Sequence, residues 1–328
     1  MTSRITFYGG VNEVGGNKIL LSDKNTVVLL DFGKGFSRRA KYFEEYLSPR
    51  TANGIVDFME MRLVPDIEGI YREDLLEMAG RKAILPAVQA VLLSHAHADH
   101  ADYVSFLHRD IPLYMGATCQ TILQAIQERA LSDFEREVLD FIERPAKRGN
   151  SSKPIKRKVE TFRSGNKFKI GSLEIRLIHV DHSIPGAYGF IIYTSSWPVV
   201  YTGDIWLHAT KPEMTSEFVE EARGCKPVAL ICEGTRIADP PTEESDTRVY
   251  QTAGELVRAH NNAPVFADFN FKGIDRVRTF YRIAKESGRK FVVKLKDCYY
   301  LKHLSKDPNP GVTNLRIMET FVGSIFVT

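Results

Sequence analysis

An apolar run over residues 91–93 stops at Ser94, and His95, His97, Asp99 and His100 follow within the next six residues. Residues i and i+2 of an extended segment point the same way, so His95 and His97 offer two imidazoles to one ion. Asp99 and His100 fall on the turn into a helix predicted over 101–108. The change from strand to helix direction aims this second pair elsewhere, toward another ion about 3.5–4 Å from the first, the separation of hydrolytic two-metal sites. Neutral imidazole is a preferred zinc ligand, and three of the nine histidines are packed here. A polar turn that is histidine-rich by chance leaves that concentration unexplained.

Positioning such a set takes buried strands that end at one rim. Residues 26–30 are β-rich and almost wholly apolar, and they end in Asp31, a carboxylate costly to bury without a partner. Residues 5–8 and 18–21 read as strands joined by the glycine-rich stretch 9–17, which is either a plain turn or a backbone that approaches something closely. Strands are predicted over 167–170, 173–180, 189–193 and 199–201, with His179, His182 and Asp204 in their end loops. A further buried strand over 228–232 ends in Glu233. Between these, helices are expected around 39–46 and 72–79, a strand over 111–114 and a helix over 118–130. Ser132 and Glu135 form a capping box that opens another helix, with Phe134, Val138, Leu139 and Ile142 on one face. A helix is also expected over 215–223. Past the polar stretch 239–246, a helix over 247–259, a strand over 265–267, a helix over 274–287 and a strand over 290–295 alternate as in a small parallel α/β unit. The chain thus divides into a metal-binding domain, 1–236, and a partial α/β domain, 237–328.

With 43% hydrophobic and 26% charged residues the composition is that of a soluble globular protein, and a net charge of +3 does not by itself announce a nucleic-acid partner. Residues 144–158 hold seven lysines and arginines and no acid, so they form either a loop that meets phosphates or a solvated surface. The four cysteines are scattered without a C-x-x-C pair, which fits a reducing, cytoplasmic setting. The start of the chain leads straight into a strand rather than a signal peptide, and no apolar run approaches the ~18 residues of a membrane span. No nucleotide-binding glycine loop is present.

Taken in order, Asp31, the run His95-x-His97-x-Asp99-His100, His182 and Asp204 resemble the motif series of the metallo-β-lactamase superfamily. Four stretches resemble its β-CASP branch, the nucleases of the ribonuclease J type: the hairpin 9–17, the run 182–186, residues 201–204, and 232–236 with the α/β unit after it. The resemblance implies an α/β fold, an αββα sandwich followed by part of a β-CASP-like parallel α/β unit. It implies two Zn2+ per active site, with His95, His97 and His182 on one ion, Asp99 and His100 on the other and Asp204 bridging. A hydroxide shared by the two ions would attack phosphorus, with Asp99 holding it and taking its proton. Asp31 would accept an imidazole N–H and fix the ring, and Glu233 would do similar work. Ser183 and Lys272 are candidate substrate contacts, and Phe269 and Phe271 could add stacking.

The chain departs from the branch in one respect. The two later histidine motifs, one gripping the scissile phosphate and one completing the second zinc, are missing before the chain stops at Thr328. The chain therefore reads as a fragment, with a natural variant or a ligand supplied by another chain as alternatives. The leading expectation is a zinc-dependent phosphodiesterase acting on RNA, with endonuclease or 5′-exonuclease action open. A hydrolase of small esters, thioesters or lactams on the same centre is the runner-up, and a non-catalytic RNA-binding or truncated member the third. A homo-oligomer is left open.

Overall fold

The computed structural model describes residues 2–43, 47–129, 134–144, 153–207, 211–238, 245–260, 262–307 and 326–327. Strands β1 (Arg4–Gly9), β2 (Lys18–Asp23), β3 (Thr26–Phe32), β4 (Ala90–Leu93) and β5 (Leu113–Gly116) begin the first sheet. After the small antiparallel pair β6 (Asp140–Phe141) and β7 (Ile155–Lys156), β8 (Val159–Phe162) completes it, in the order β1-β2-β3-β4-β5-β8. Strands β9 (Lys167–Ile170), β10 (Leu173–His179), β11 (Tyr188–Tyr193), β12 (Pro198–Tyr201) and β13 (Ala229–Ile231) form the second sheet, in the order β13-β12-β11-β10-β9. A parallel pair, β14 (Val292–Val293) and β15 (Phe326–Val327), closes the set.

The layers follow from period-two alternation along the strands. Val28, Leu30, Ala90 and Leu92 meet Ile175, Leu177, Phe190 and Ile192 between the sheets. Their neighbours Leu29, Val91 and Leu93 face outward, against Phe58, Leu75, Ile122, Val277 and Leu301 of the helices on that side. On the other outer face Ile178, Ile191 and Val200 bury Phe218 of helix Pro212–Gly224. Helix, sheet, sheet and helix is the expected αββα sandwich. Helices Ile274–Glu286 and Leu295–Leu304 share the first outer core, through Val277 and Leu301. Among the described residues no helix is long and apolar enough to cross a membrane.

Several expected elements differ. The helix opened by Ser132 and Glu135 does not form: Phe134–Arg136 is a single 3-10 turn, and the chain then extends into β6. Residues 132 and 133 lie outside the described residues. Tertiary partners override the helical pattern here, because Glu135 binds Arg39 at 2.7 Å, Glu137 binds Arg144 at 2.7 Å, and the Gln127 side chain accepts from Leu139 N at 2.9 Å. The helix expected over 101–108 starts earlier, at Ala98, and tightens to 3-10 over Asp102–Phe106. Around 39–46 only Phe36–Ala40 is helical, with 44–46 outside the described residues. Strand β13 is not buried: it is an edge strand, with Leu230 62% exposed. No strand forms over 265–267, and 290–295 gives only the two residues of β14.

The basic stretch also resolves differently at its ends. Arg157 is buried, donating to the carbonyls of Ser105, Leu107 and His108, and Arg144 is tied to Glu137. Lys147 and Arg148 lie outside the described residues, as does the polar stretch 239–244.

Candidate metal centre

Strands β3 and β4 run parallel, and β10 and β12 run parallel in the other sheet, so their C-terminal ends lie together at one rim. Asp31 is the penultimate residue of β3, with φ +56. Ser94 and His95 follow β4, His97 caps the short helix Ala98–Ala101 that carries Asp99 and His100, and His182 and Asp204 follow β10 and β12.

Two overlapping donor groups result. His95, His97, His182 and Asp204 bring one ligand atom each within 4.8 Å of one another, and so do Asp99, His100 and Asp204. Asp204 belongs to both. His97 Nδ1 lies 3.0 Å from His95 Nε2 and 3.1 Å from His182 Nε2, and the rings stand at 75–83° to each other. A tetrahedron built on Zn–N bonds of about 2.0–2.1 Å separates its corners by about 3.3 Å, so these nitrogens need only spread slightly to hold an ion.

The tautomers agree. Ser94 Oγ donates to Asp31 Oδ2 at 2.7 Å, so at 3.0 Å it accepts from His95 Nδ1 and leaves the Nε2 lone pair facing the cluster. A carboxylate only accepts, so His100 Nδ1 carries a proton toward Asp31 Oδ2 at 2.7 Å. His100 Nε2 then faces Asp204 Oδ1 at 3.2 Å and Asp99 Oδ2 at 3.7 Å. The residues present fit a divalent ion.

Charge points the same way at His95, His97 and His182. Burial, reinforced by the neighbouring rings, pushes His95 well below its ordinary pKa. Burial, then His182 and the Lys272 ammonium, take His97 down to about 3; burial takes His182 down to about 4 against the pull of Asp204. All three are neutral at pH 7, as ligands must be. Burial alone would raise Asp204, yet its hydrogen bond to His100 and the charge of that ring hold it at about 2. Burial raises Asp99. His100 is driven well above the usual range by Asp31 and Asp204, against burial.

The other sequence candidates fall into two groups. Asp31, fully buried, accepts from Ser94 N and Oγ and from His100, each at 2.7 Å, and from Tyr201 OH at 2.5 Å. Ser183 and Lys272 border the cluster: Ser183 Oγ is 3.5 Å from His182 Nε2, and a Cβ on Gly273 would meet Ser183 O at 3.1 Å. Burial lowers Lys272, and its charge acts on His97, His95 and Asp99. Glu233 stands apart. Its carboxylate accepts from Thr235 N at 2.9 Å, and among the described residues it makes no bond to the cluster.

Ser94, Tyr201 and Asn17, whose amide lies 3.0 Å from His100 Nε2, are contacts that motif spacing does not mark. Trp206, with its ring centroid 5.5 Å from that of His182, is another. Their signal was position: each is next to, or two residues from, a motif residue or a strand end. Beside His182 opens a cavity of about 410 Å3, lined by Ser183, Trp206, Phe269, Arg276 and Phe280.

Residues 65–231 match the family model of the beta-lactamase superfamily domain. The chain is 24% identical over 294 residues to a ribonuclease J of Mycobacterium tuberculosis, covering 88% of this chain and 43% of that protein. A ribonuclease J of Corynebacterium glutamicum is 25% identical over 297 residues, covering 88% of this chain and 34% of that protein. The chain thus spans less than half the length of these curated relatives. A crystal structure of a protein of unknown function from Enterococcus faecalis V583 shares the fold, with a TM-score of 0.68 and 23% identity over 92% of this chain and 67% of that one. With a family model spanning half its residues, a mixed α/β sandwich and ribonuclease J relatives, the chain belongs to the metallo-β-lactamase superfamily, a family of metallo-hydrolases that use divalent metal.

Proposed function

We propose that this chain is the catalytic part of a metal-dependent phosphodiesterase that cleaves RNA, with two zinc ions at the rim. The observation that carries the reading is the pair of donor groups joined through Asp204. His95, His97 and His182 would hold one ion, Asp99 and His100 the other. When bound, such ions supply Lewis acidity that brings the pKa of water toward about 7. The chain's own part is positional. Asp99, its carboxyl raised by burial, holds the attacking water and takes its proton; Lys272 and Ser183 meet the phosphoryl oxygens; Trp206 offers a face for stacking, while Phe269 is stacked on Phe280. The ribonuclease J relatives support RNA as the substrate.

The test is cleavage of a 5′-labelled RNA by the metal-loaded chain and by Asp99→Ala. The variant is expected to lose about 10²–10⁴-fold in rate while melting like the parent. Full activity in the variant would refute the assignment. The length of the products decides between endonuclease and 5′-exonuclease action.

One observation favours a second reading, a hydrolase of small esters, thioesters or lactams. The cavity wall carries Asp181, Asp246, Asp268 and Asp275 against one guanidinium, Arg276, which is already bound to Asp246 at 2.9 Å. Such a wall repels a polyanion. Turnover of small substrates with no RNA cleavage would select this reading. The division at 236 and 237 and a cytoplasmic setting belong to the same proposal, the latter supported by four unpaired cysteines.

A further inference from the structure

Residues 270–273 form a turn ahead of helix Ile274–Glu286, outside both sheets, yet the Lys272 ammonium is close enough to His95, His97 and Asp99 for their charges to interact. A lysine stem is flexible, so the place of its ammonium depends on how firmly its backbone is held. Within the turn, Asn270 Oδ1 accepts from Lys272 N at 3.1 Å and Asn270 O accepts from Gly273 N at 3.0 Å. From outside the turn, Tyr300 OH donates to Lys272 O at 3.3 Å. Resting on the phosphodiesterase reading, we propose that Tyr300 is a positioning residue, its hydroxyl fixing the Lys272 backbone so that the ammonium meets the phosphoryl group.

Tyr300 is a firm anchor because its own helix, Leu295–Leu304, is tied to helix Ala117–Arg129 along its length. Tyr299 OH donates to the Glu128 carboxylate, and His303 Nε2 lies 3.3 Å from the same group. Just past the end of the helix, Asp307 accepts from Thr118 Oγ1. Tyr300, Leu301 and Leu304 are buried in the outer core that also holds Ile122 and Leu123. Thr118 in turn underlies the run that carries His182: a Cβ on Gly186, whose φ is +77, would come within 2.7 Å of Thr118 Cβ. One on Gly273 would meet Ser183 O at 3.1 Å. The helix therefore bears on the His182 run at one place and on the Lys272 turn at another, and it sets how the two stand to each other.

A buried tyrosine hydroxyl needs an acceptor, and any carbonyl would satisfy it. A bond made only for that purpose contributes to stability and leaves the rate alone. A bond that positions Lys272 acts on the rate, and only while the ammonium is there to be positioned. Misplacing a reacting or binding group by about 1 Å can cost about 10²-fold in rate, so a shift of a fraction of that distance costs about three- to tenfold.

The experiment is a double-mutant cycle on kcat for cleavage of a 5′-labelled RNA by the metal-loaded full chain: parent, Tyr300→Phe, Lys272→Ala and the two together. Phenylalanine keeps the buried ring and removes only the hydroxyl. Lys272→Ala is expected to slow kcat about 10²-fold. Tyr300→Phe should slow the parent about three- to tenfold and leave Lys272→Ala no slower than it was, with the zinc content of all four chains equal. An equal slowing in both backgrounds would make the hydroxyl a structural group and overturn the proposal. So would a full-rate Tyr300→Phe beside a slow Lys272→Ala. Should Tyr300→Phe fail to fold, Asn270→Ala, which releases the same backbone from the other side, must show the same dependence on Lys272. A full-rate Lys272→Ala, or a parent that leaves RNA intact, refutes the reading on which the proposal rests and the proposal with it.

Discussion

Four donors converge on the Asp31 carboxylate, from a backbone held at φ +56 where aspartate is better tolerated than most residues. Its oxygens fix the His100 ring and the Ser94 hydroxyl, and through Ser94 the tautomer of His95. Replacing Asp31 by Asn turns at least one donor against an NH2 group. Metal affinity should fall about 10–100-fold, read by titrating the metal-free chain with buffered Zn2+, with cleavage lowered in step. The local motif from His95 to His100 is readable in the sequence because its donors are neighbours in the chain. Asp31 is readable because a buried carboxylate requires a partner. Tyr201 and Asn17 lie in stretches that carry the resemblance, 201–204 and 9–17, but their contacts with the centre arise from pairing across sheets and hairpins and were not read. Glu233 shows the converse, a motif residue whose side chain turns to its own loop.

At the scale of elements, the strands of the two sheets other than β8 were readable, from apolar runs and alternations that match their burial. What was not readable is where tertiary partners set the conformation. Over 134–144 and 153–158 the chain is held by two buried guanidinium groups. Arg72 binds Asp74 at 2.6 Å and the carbonyls of Ser105 and Ile142, with its Cζ 3.8 Å from the Phe141 ring centroid; Arg157 packs 4.8 Å from the same ring. A helical pattern cannot compete with these fixed partners, and a basic stretch read as surface becomes partly interior. Removing Arg72 takes one donor each from Asp74, Ser105 O and Ile142 O, which Arg144 and Arg157 still reach, so Arg72→Ala should cost roughly 1–3 kcal/mol, measured by urea unfolding. A loss below about 1 kcal/mol would show that water replaces the guanidinium. The exposure of the expected strand β13 and the existence of helix Leu295–Leu304 were not readable for another reason: only the fold decides which of their apolar residues are covered.

For the whole molecule, the end of the sandwich away from the metal rim has its own fastening. Asp23, at the turn between β2 and β3, is fully buried, and it accepts from Ser195 Oγ at 2.7 Å and from Ser3 Oγ at 2.8 Å, while Ser172 Oγ donates to its backbone carbonyl at 2.9 Å. Ser172 and Ser195 sit on turns of the second sheet. Burial alone would raise the Asp23 pKa, but hydrogen bonds from Ser172, Ser195 and Ser3 bring it down to about 2. A folded-state pKa below the unfolded value near 3.9 stabilises the fold above that pH, and the contribution is lost as pH falls toward 2. The stability difference between the parent and Asp23→Asn should be level at pH 5 and above and shrink steadily below pH 4, followed by denaturant titration at each pH. A difference independent of pH would remove Asp23 from this role.

The two sheets are thus clasped at opposite ends by unlike chemistry, ligand side chains at one end and a hydrogen-bonded carboxylate at the other. A chelator acts on the first clasp and acid on the second. Stripping the metal at neutral pH should loosen the sandwich as a book opens from one side, with amide exchange rising around 94–100, 180–186 and 202–206 while the turns at 23–26, 171–172 and 194–197 stay protected.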